Sequence, residues 1–150
     1  MDAEVYPDER VSSFINDNFI PVKIHIKENP TGFQRFGAQW TPTIIVADSG
    51  GTERYRFEGY LPVEEFLPQL EFGLGKVAFA GSAWGEAERR FRKVAESYPE
   101  ADIAPEALYW AGVSKYKATN DASALKQTAD AMQSRYADTA WAKKASVWAA

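Results

Sequence analysis

The chain has 150 residues, 45% of them hydrophobic and 14% aromatic, enough to build a real core as one compact domain or two small ones. Its net charge of −4 argues against a nucleic-acid binder, which needs a basic face to release phosphate counterions, and against docking on an anionic membrane surface. With no cysteine there can be no disulfide, thiolate metal site or thiol nucleophile, and a single histidine nearly excludes a conventional zinc site or a Ser-His triad.

Charge is split unevenly along the chain. Residues 1–80 carry 7 Lys+Arg against 12 Asp+Glu (−5), and residues 81–150 carry 10 against 9 (+1), so two segments of different character are expected. No apolar run is long enough to span a bilayer, and residues 1–20 lack the basic start and apolar centre of a secretory signal. A soluble cytoplasmic protein is the expectation, with no metal or cofactor implied.

In chain order, Tyr6-Pro7-Asp8-Glu9 sets proline and acids where a first helical turn favours them, and Val11, Phe14 and Ile15 follow at helical spacing to about Asn18. From Phe19 to Lys27 the period becomes two, with Ile20, Val22, Ile24 and Ile26 on one face, which predicts a half-covered strand. His25 falls on its polar face as a solvated residue. Asn29-Pro30-Thr31-Gly32 opens a short helix that carries Phe33 and Phe36 and ends near Gly37. Thr43–Asp48 reads as an apolar strand, Ser49-Gly50-Gly51 as a hairpin turn, and Thr52–Glu58 as its antiparallel partner. Pro62 starts a further helix with Glu64 and Glu65 in its first turn and a core stripe of Phe66, Leu67, Leu70, Leu74 and Val77.

A helical repeat follows. Shifting the chain by 38 positions lays Trp84, Ala87, Phe91, Val94 and Tyr98 on Ala122, Leu125, Ala129, Met132 and Tyr136. The same shift lays Ala104, Ala107, Trp110 and Ala111 on Ala142, Ala145, Trp148 and Ala149. Each unit reads as an amphipathic helix ending at a tyrosine, a turn, and an alanine-rich helix, with Ser82 and Asn120 as expected N-caps. The aromatic stripe reads as core between helices, and the charged positions around Glu86–Lys93 as solvated surface.

The order helix, strand, short helix, Trp40-Thr41-Pro42-Thr43 corner, hairpin and helix over residues 1–80 resembles the thioredoxin-like superfamily. Residues 81–150, with Tyr98-Pro99 between helices, resemble tetratricopeptide-type repeats. The expected fold is thus an incomplete α/β thioredoxin-like domain over 1–80, lacking the first strand and Cys-x-x-Cys motif, followed by an all-α tetratricopeptide-like hairpin array over 81–150. The resemblance implies that Pro42 is cis and that Trp40, Thr41 and Pro42 face an extended peptide. It also implies a central strand missing between the strands at 20–27 and 43–48, which would leave the sheet open to a second copy of the chain.

Three functions compete at this point. One is a redox-inactive module that binds a protein or peptide. The second is a fragment of a thiol-disulfide oxidoreductase whose Cys-x-x-Cys lies upstream of Met1, because nothing in these residues substitutes for a thiolate. The third is a purely structural domain. No residue is assigned a catalytic role, and neither a nucleic acid nor a membrane is an expected partner.

Overall fold

A computed structural model describes residues 1–150. Helix α1 spans Glu9–Asn18 and begins where the Asp8 carboxylate accepts the Arg10 amide at 2.9 Å, so Pro7 and Asp8 lie just ahead of the helix. Helix α2, Pro30–Arg35, is capped in the same way by Asn29, whose Oδ1 accepts from Gly32 N at 2.8 Å, and Gly37 leaves it at φ +61°. Strands β1 (Thr43–Ala47) and β2 (Glu53–Glu58) form an antiparallel pair in the register Thr43↔Glu58 to Val46↔Tyr55. Their turn is organised by Asp48, whose carboxylate accepts from Gly50 N and Thr52 N at 3.0 Å each and from Arg54 Nε at 2.8 Å. The Thr52 amide and the Arg54 guanidinium hold the Asp48 carboxyl below its ordinary range.

The remaining chain is helical: α3 (Val63–Ala80), α4 (Trp84–Ser97), α5 (Ala104–Thr119), α6 (Ser123–Tyr136) and α7 (Ala140–Ala145), closed by a single 3-10 turn at Ser146–Trp148. Each helix from α3 to α7 packs most extensively on its neighbour in sequence.

Helix α3 is the hinge between the two halves of this architecture. Phe66, Leu67 and Leu70 face the sheet and the N-terminal turn, sharing a core with Val5, Val11 and Phe57. Phe72 turns the other way, into a core built from Ala87, Phe91 and Val94 of α4 and Ala107 and Ala111 of α5. Close approach on both sides depends on glycine: a Cβ at Gly73 would stand 2.8 Å from Val46 Cγ2, and one at Gly75 2.6 Å from the Phe91 ring. The stripe expected on this helix is therefore too narrow, for Glu71, Phe72, Gly73 and Gly75 are buried while Leu74 and Val77 are half-buried.

The 38-residue repeat is kept in part: α7 is far shorter than α5, and Ala149 is exposed where Ala111 is buried. The paired positions Phe91/Ala129, Val94/Met132, Ala104/Ala142 and Ala107/Ala145 are all buried. Backbone bonds repeat too, Ala101 N to Tyr98 O and Thr139 N to Tyr136 O, each at 3.0 Å. Tyr136 also donates its hydroxyl to Pro99 O at 2.8 Å, tying one unit to the other.

Two expectations are corrected here. Ser82 and Asn120 are not N-caps: they are left-handed residues, φ +58° and +56°, that close the preceding helices α3 and α5. The caps lie one and two residues on, at Ala83 and Ala122, with no side-chain bond. A polar residue between two helices serves either end, and here the reversal needed a residue that tolerates left-handed backbone.

The second correction concerns Phe19–Lys27, which contains no strand: the sheet has two strands, β1 and β2. Alternating side chains supply a face, but a strand also needs a ladder partner, and β1 makes its ladder with β2 alone. Ile20 and Val22 consequently stand 94% and 79% exposed, with Ile24 and Ile26 also in solvent. His25 is exposed, as expected of a solvated residue.

Candidate functional site

The corner before β1 is set by three local interactions. The Thr41–Pro42 peptide bond is cis. Thr43 Oγ1 donates back to Trp40 O at 2.5 Å, and Pro42 O accepts from Gly59 N at 2.8 Å, fastening the corner to the far end of β2. Arg56 of β2 reaches across to Phe36 O and is itself held by Glu53, so the linker from α2 to the corner is anchored to the hairpin. The result is a fixed backbone from which the Trp40 indole projects into solvent, 65% exposed; Thr41 is exposed and Pro42 half-buried.

Unburied apolar side chains concentrate on this half of the chain. Ile20, Val22, Ile24, Ile26, Phe36, Trp40 and Tyr60 are exposed, whereas Val147 is the single large exposed hydrophobic residue of the helical array. Burying such a side chain fully is worth about 1.5–3 kcal/mol, so the segment at 20–26 leaves a substantial driving force unused. The N-terminal turn touches both parts: Lys23 Nζ pairs with Asp2 at 3.0 Å, and the Tyr60 hydroxyl donates to Glu4 at 2.9 Å. That bond to a carboxylate raises the Tyr60 phenol above its ordinary range.

The two strands differ in the way edges differ from interior strands. β2 carries Glu53, Arg54, Arg56 and Glu58, charges that discourage further pairing, while β1, Thr43-Ile44-Ile45-Val46-Ala47, has none. β1 thus has the composition of a strand with neighbours on both sides and a partner on only one.

Residues 1–74 match the family model of the thioredoxin-like domain. The match covers just under half of the chain and ends within α3, the helix that also starts the array. It supports a thioredoxin-like domain in this half, in agreement with the resemblance carried by the corner, and the cis bond at Pro42 is what that resemblance implied. No curated protein matches the chain significantly.

Thiol-disulfide exchange needs a thiolate, and the chain has no cysteine to provide one. No three His, Cys, Asp or Glu side chains converge in a way that could hold a metal ion, and no helix is long and apolar enough to cross a membrane. What the geometry offers is a corner fastened to the hairpin, a projecting indole and a strand with an unused edge. The cis bond at Pro42 was expected from the resemblance, but the sequence reading placed Ile20–Ile26 in a strand and so missed their exposure.

Buried electrostatics lie elsewhere. Glu71 of α3 is 1% exposed, and both its carboxylate oxygens lie 3.3 Å from Arg90 Nη1. Arg90 also pairs with Glu86 at 2.9 Å and reaches Asn18 of α1 at 3.4 Å, so one guanidinium links α1, α3 and α4. Hydrogen bonds from Arg89 and Arg90 bring the Glu86 carboxyl down to about 2.

Proposed function

We propose that this chain is a redox-inactive docking module that receives an extended polypeptide segment along β1, with the Trp40-Thr41-Pro42 corner gripping one end. One observation carries the reading: β1, an uncharged apolar strand, has a single partner, and Trp40 stands exposed at its head. An added strand draws its affinity from main-chain hydrogen bonds to the unused edge and its selectivity from alternate side chains, here favouring small or branched apolar residues that lie over Ile44 and Ile45. The helices behind it, built on a tetratricopeptide-like plan, hold α3 rigid beneath the sheet, as repeat scaffolds hold binding surfaces.

Labelled peptides of alternating Val and Thr, titrated against the full chain, test this. Binding is expected to slow amide exchange in residues 43–47, and Trp40→Ala is expected to weaken it by roughly tenfold, the loss of one aromatic anchor. Unchanged exchange in β1, or equal binding by Trp40→Ala, would remove the corner and the strand as a docking site.

A further inference from the structure

Away from the corner, three lysines rest on tryptophan rings. Lys76 Nζ lies 4.8 Å from the Trp110 centroid, Lys117 Nζ 5.5 Å from Trp84 and Lys144 Nζ 4.0 Å from Trp141. None of the three comes within 4.0 Å of a carboxylate, whereas Arg89, Arg90 and Arg92 on α4 are all paired with glutamates. The α4 face neutralises itself; the lysine face does not.

The rings beneath the lysines are continuous. Trp84 meets Phe79 at 5.0 Å, Phe79 meets Trp110 at 5.3 Å, Trp110 meets Tyr109 at 5.5 Å, and Tyr109 meets Trp141 at 5.1 Å. These residues come from α3, α5 and α7, with Trp84 at the start of α4, so the band joins four helices and leaves out α6. One acid opposes it: Glu106 faces Lys76 and Lys144 while half-buried, and burial pushes its carboxyl above the ordinary range. Its approach to the Trp110 indole lacks hydrogen-bonding geometry.

We propose that this band binds an acidic polypeptide segment, whose carboxylates meet Lys76, Lys117 and Lys144. Charge complementarity selects the occupant: three cations without carboxylate partners are already held in place by the rings, so a carboxylate gains a partner without first breaking an ion pair. A single-stranded nucleic acid fits less well, because the rings of the band cross at 57–83°, and the one stacked contact, Tyr109 on Trp148 at 27°, makes no row of faces for successive bases. The chain's net charge of −4 also opposes it. This surface is independent of the corner and of the function proposed for it.

A fluorescein-labelled peptide of alternating Glu and Leu, its Gln–Leu counterpart and an oligothymidylate, each titrated against the full chain, provide the test. The Glu–Leu peptide is expected to bind at least roughly tenfold tighter than the other two and to weaken as salt rises. The variant K76Q/K117Q/K144Q removes the three charges while leaving a shorter polar side chain at each position, and is expected to lose that advantage. K144Q alone is expected to lose about two- to fivefold, which serves if the triple variant does not fold. Trp40→Ala should bind this peptide like the wild type, separating the band from the corner. Absence of Glu–Leu binding, equal binding of the Gln–Leu peptide, tighter oligothymidylate binding or full affinity in the lysine variants would each overturn the proposal.

Discussion

Gly112 shows how much a single hydrogen atom decides in this molecule. A Cβ there would stand 2.1 Å from Thr128 Oγ1, whose hydroxyl is committed to Ala124 O at 2.7 Å in a buried site. Alanine is the better helix former by about 1 kcal/mol, but overpacking a rigid contact costs about 1–3 kcal/mol, so the steric effect wins. Gly112→Ala is expected to lower stability by about 1–2 kcal/mol in urea unfolding, and Thr128→Ala in the same chain to recover part of it. Additive losses would show that α5 and α6 do not meet through this pair. Nothing in the sequence around Gly112 announces it, because close approach is a property of two helices. The Trp40-Thr41-Pro42 corner was legible for the opposite reason: its conformation is local, and proline restricts its own neighbourhood.

At the scale of elements, α1, α3 and α4 are joined by charge as well as by apolar contact. Removing Arg90 leaves Glu71 buried beside a single more distant cation, Lys93 Nζ at 3.8 Å. Breaking a buried pair from one side costs about 3–5 kcal/mol, and Lys93, which is partly exposed and able to move, should reduce this. Arg90→Met is expected to cost about 2–4 kcal/mol, and Arg90→Met with Glu71→Leu to return to within about 1 kcal/mol of the wild type, since an apolar pair needs no compensation. A double variant as unstable as the single one would mean that Arg90 acts through Asn18 and Glu86 instead. The sequence placed Glu71 on a helix but could not bury it, because only packing of α3 between sheet and α4 closes both sides. The starts of α1 and α2 and the hairpin were readable from capping and turn residues, whereas Ser82 and Asn120 were assigned to the wrong helix ends. That 19–27 forms no strand was not readable, since alternation describes one chain and pairing requires two.

For the whole molecule, the question is whether the two halves unfold together. The match to a thioredoxin-like domain ends at residue 74, inside a helix whose Phe72 packs on Tyr55 of β2 at 5.0 Å and on Phe91 of α4 at 5.1 Å. A boundary drawn by composition falls at the charge shift near residue 80, but the core runs through it: Tyr55 packs against the cluster built from α4 and α5, and Tyr98 against the one shared by α1, β2 and α3. Separating the halves would expose Phe72 and Phe91, each worth about 1.5–3 kcal/mol of burial. The full chain is therefore expected to unfold in urea as one cooperative transition, with tryptophan fluorescence, dominated by Trp84, Trp110, Trp141 and Trp148 of the array, coinciding with loss of amide protection in β1 and β2. Two separated midpoints would show that α3 belongs energetically to one side, and the side that melts with it would identify which. A single midpoint would make the free edge of β1 and the lysine-covered band parts of one cooperative unit, so that a ligand binding only the folded state at either surface raises the stability of both.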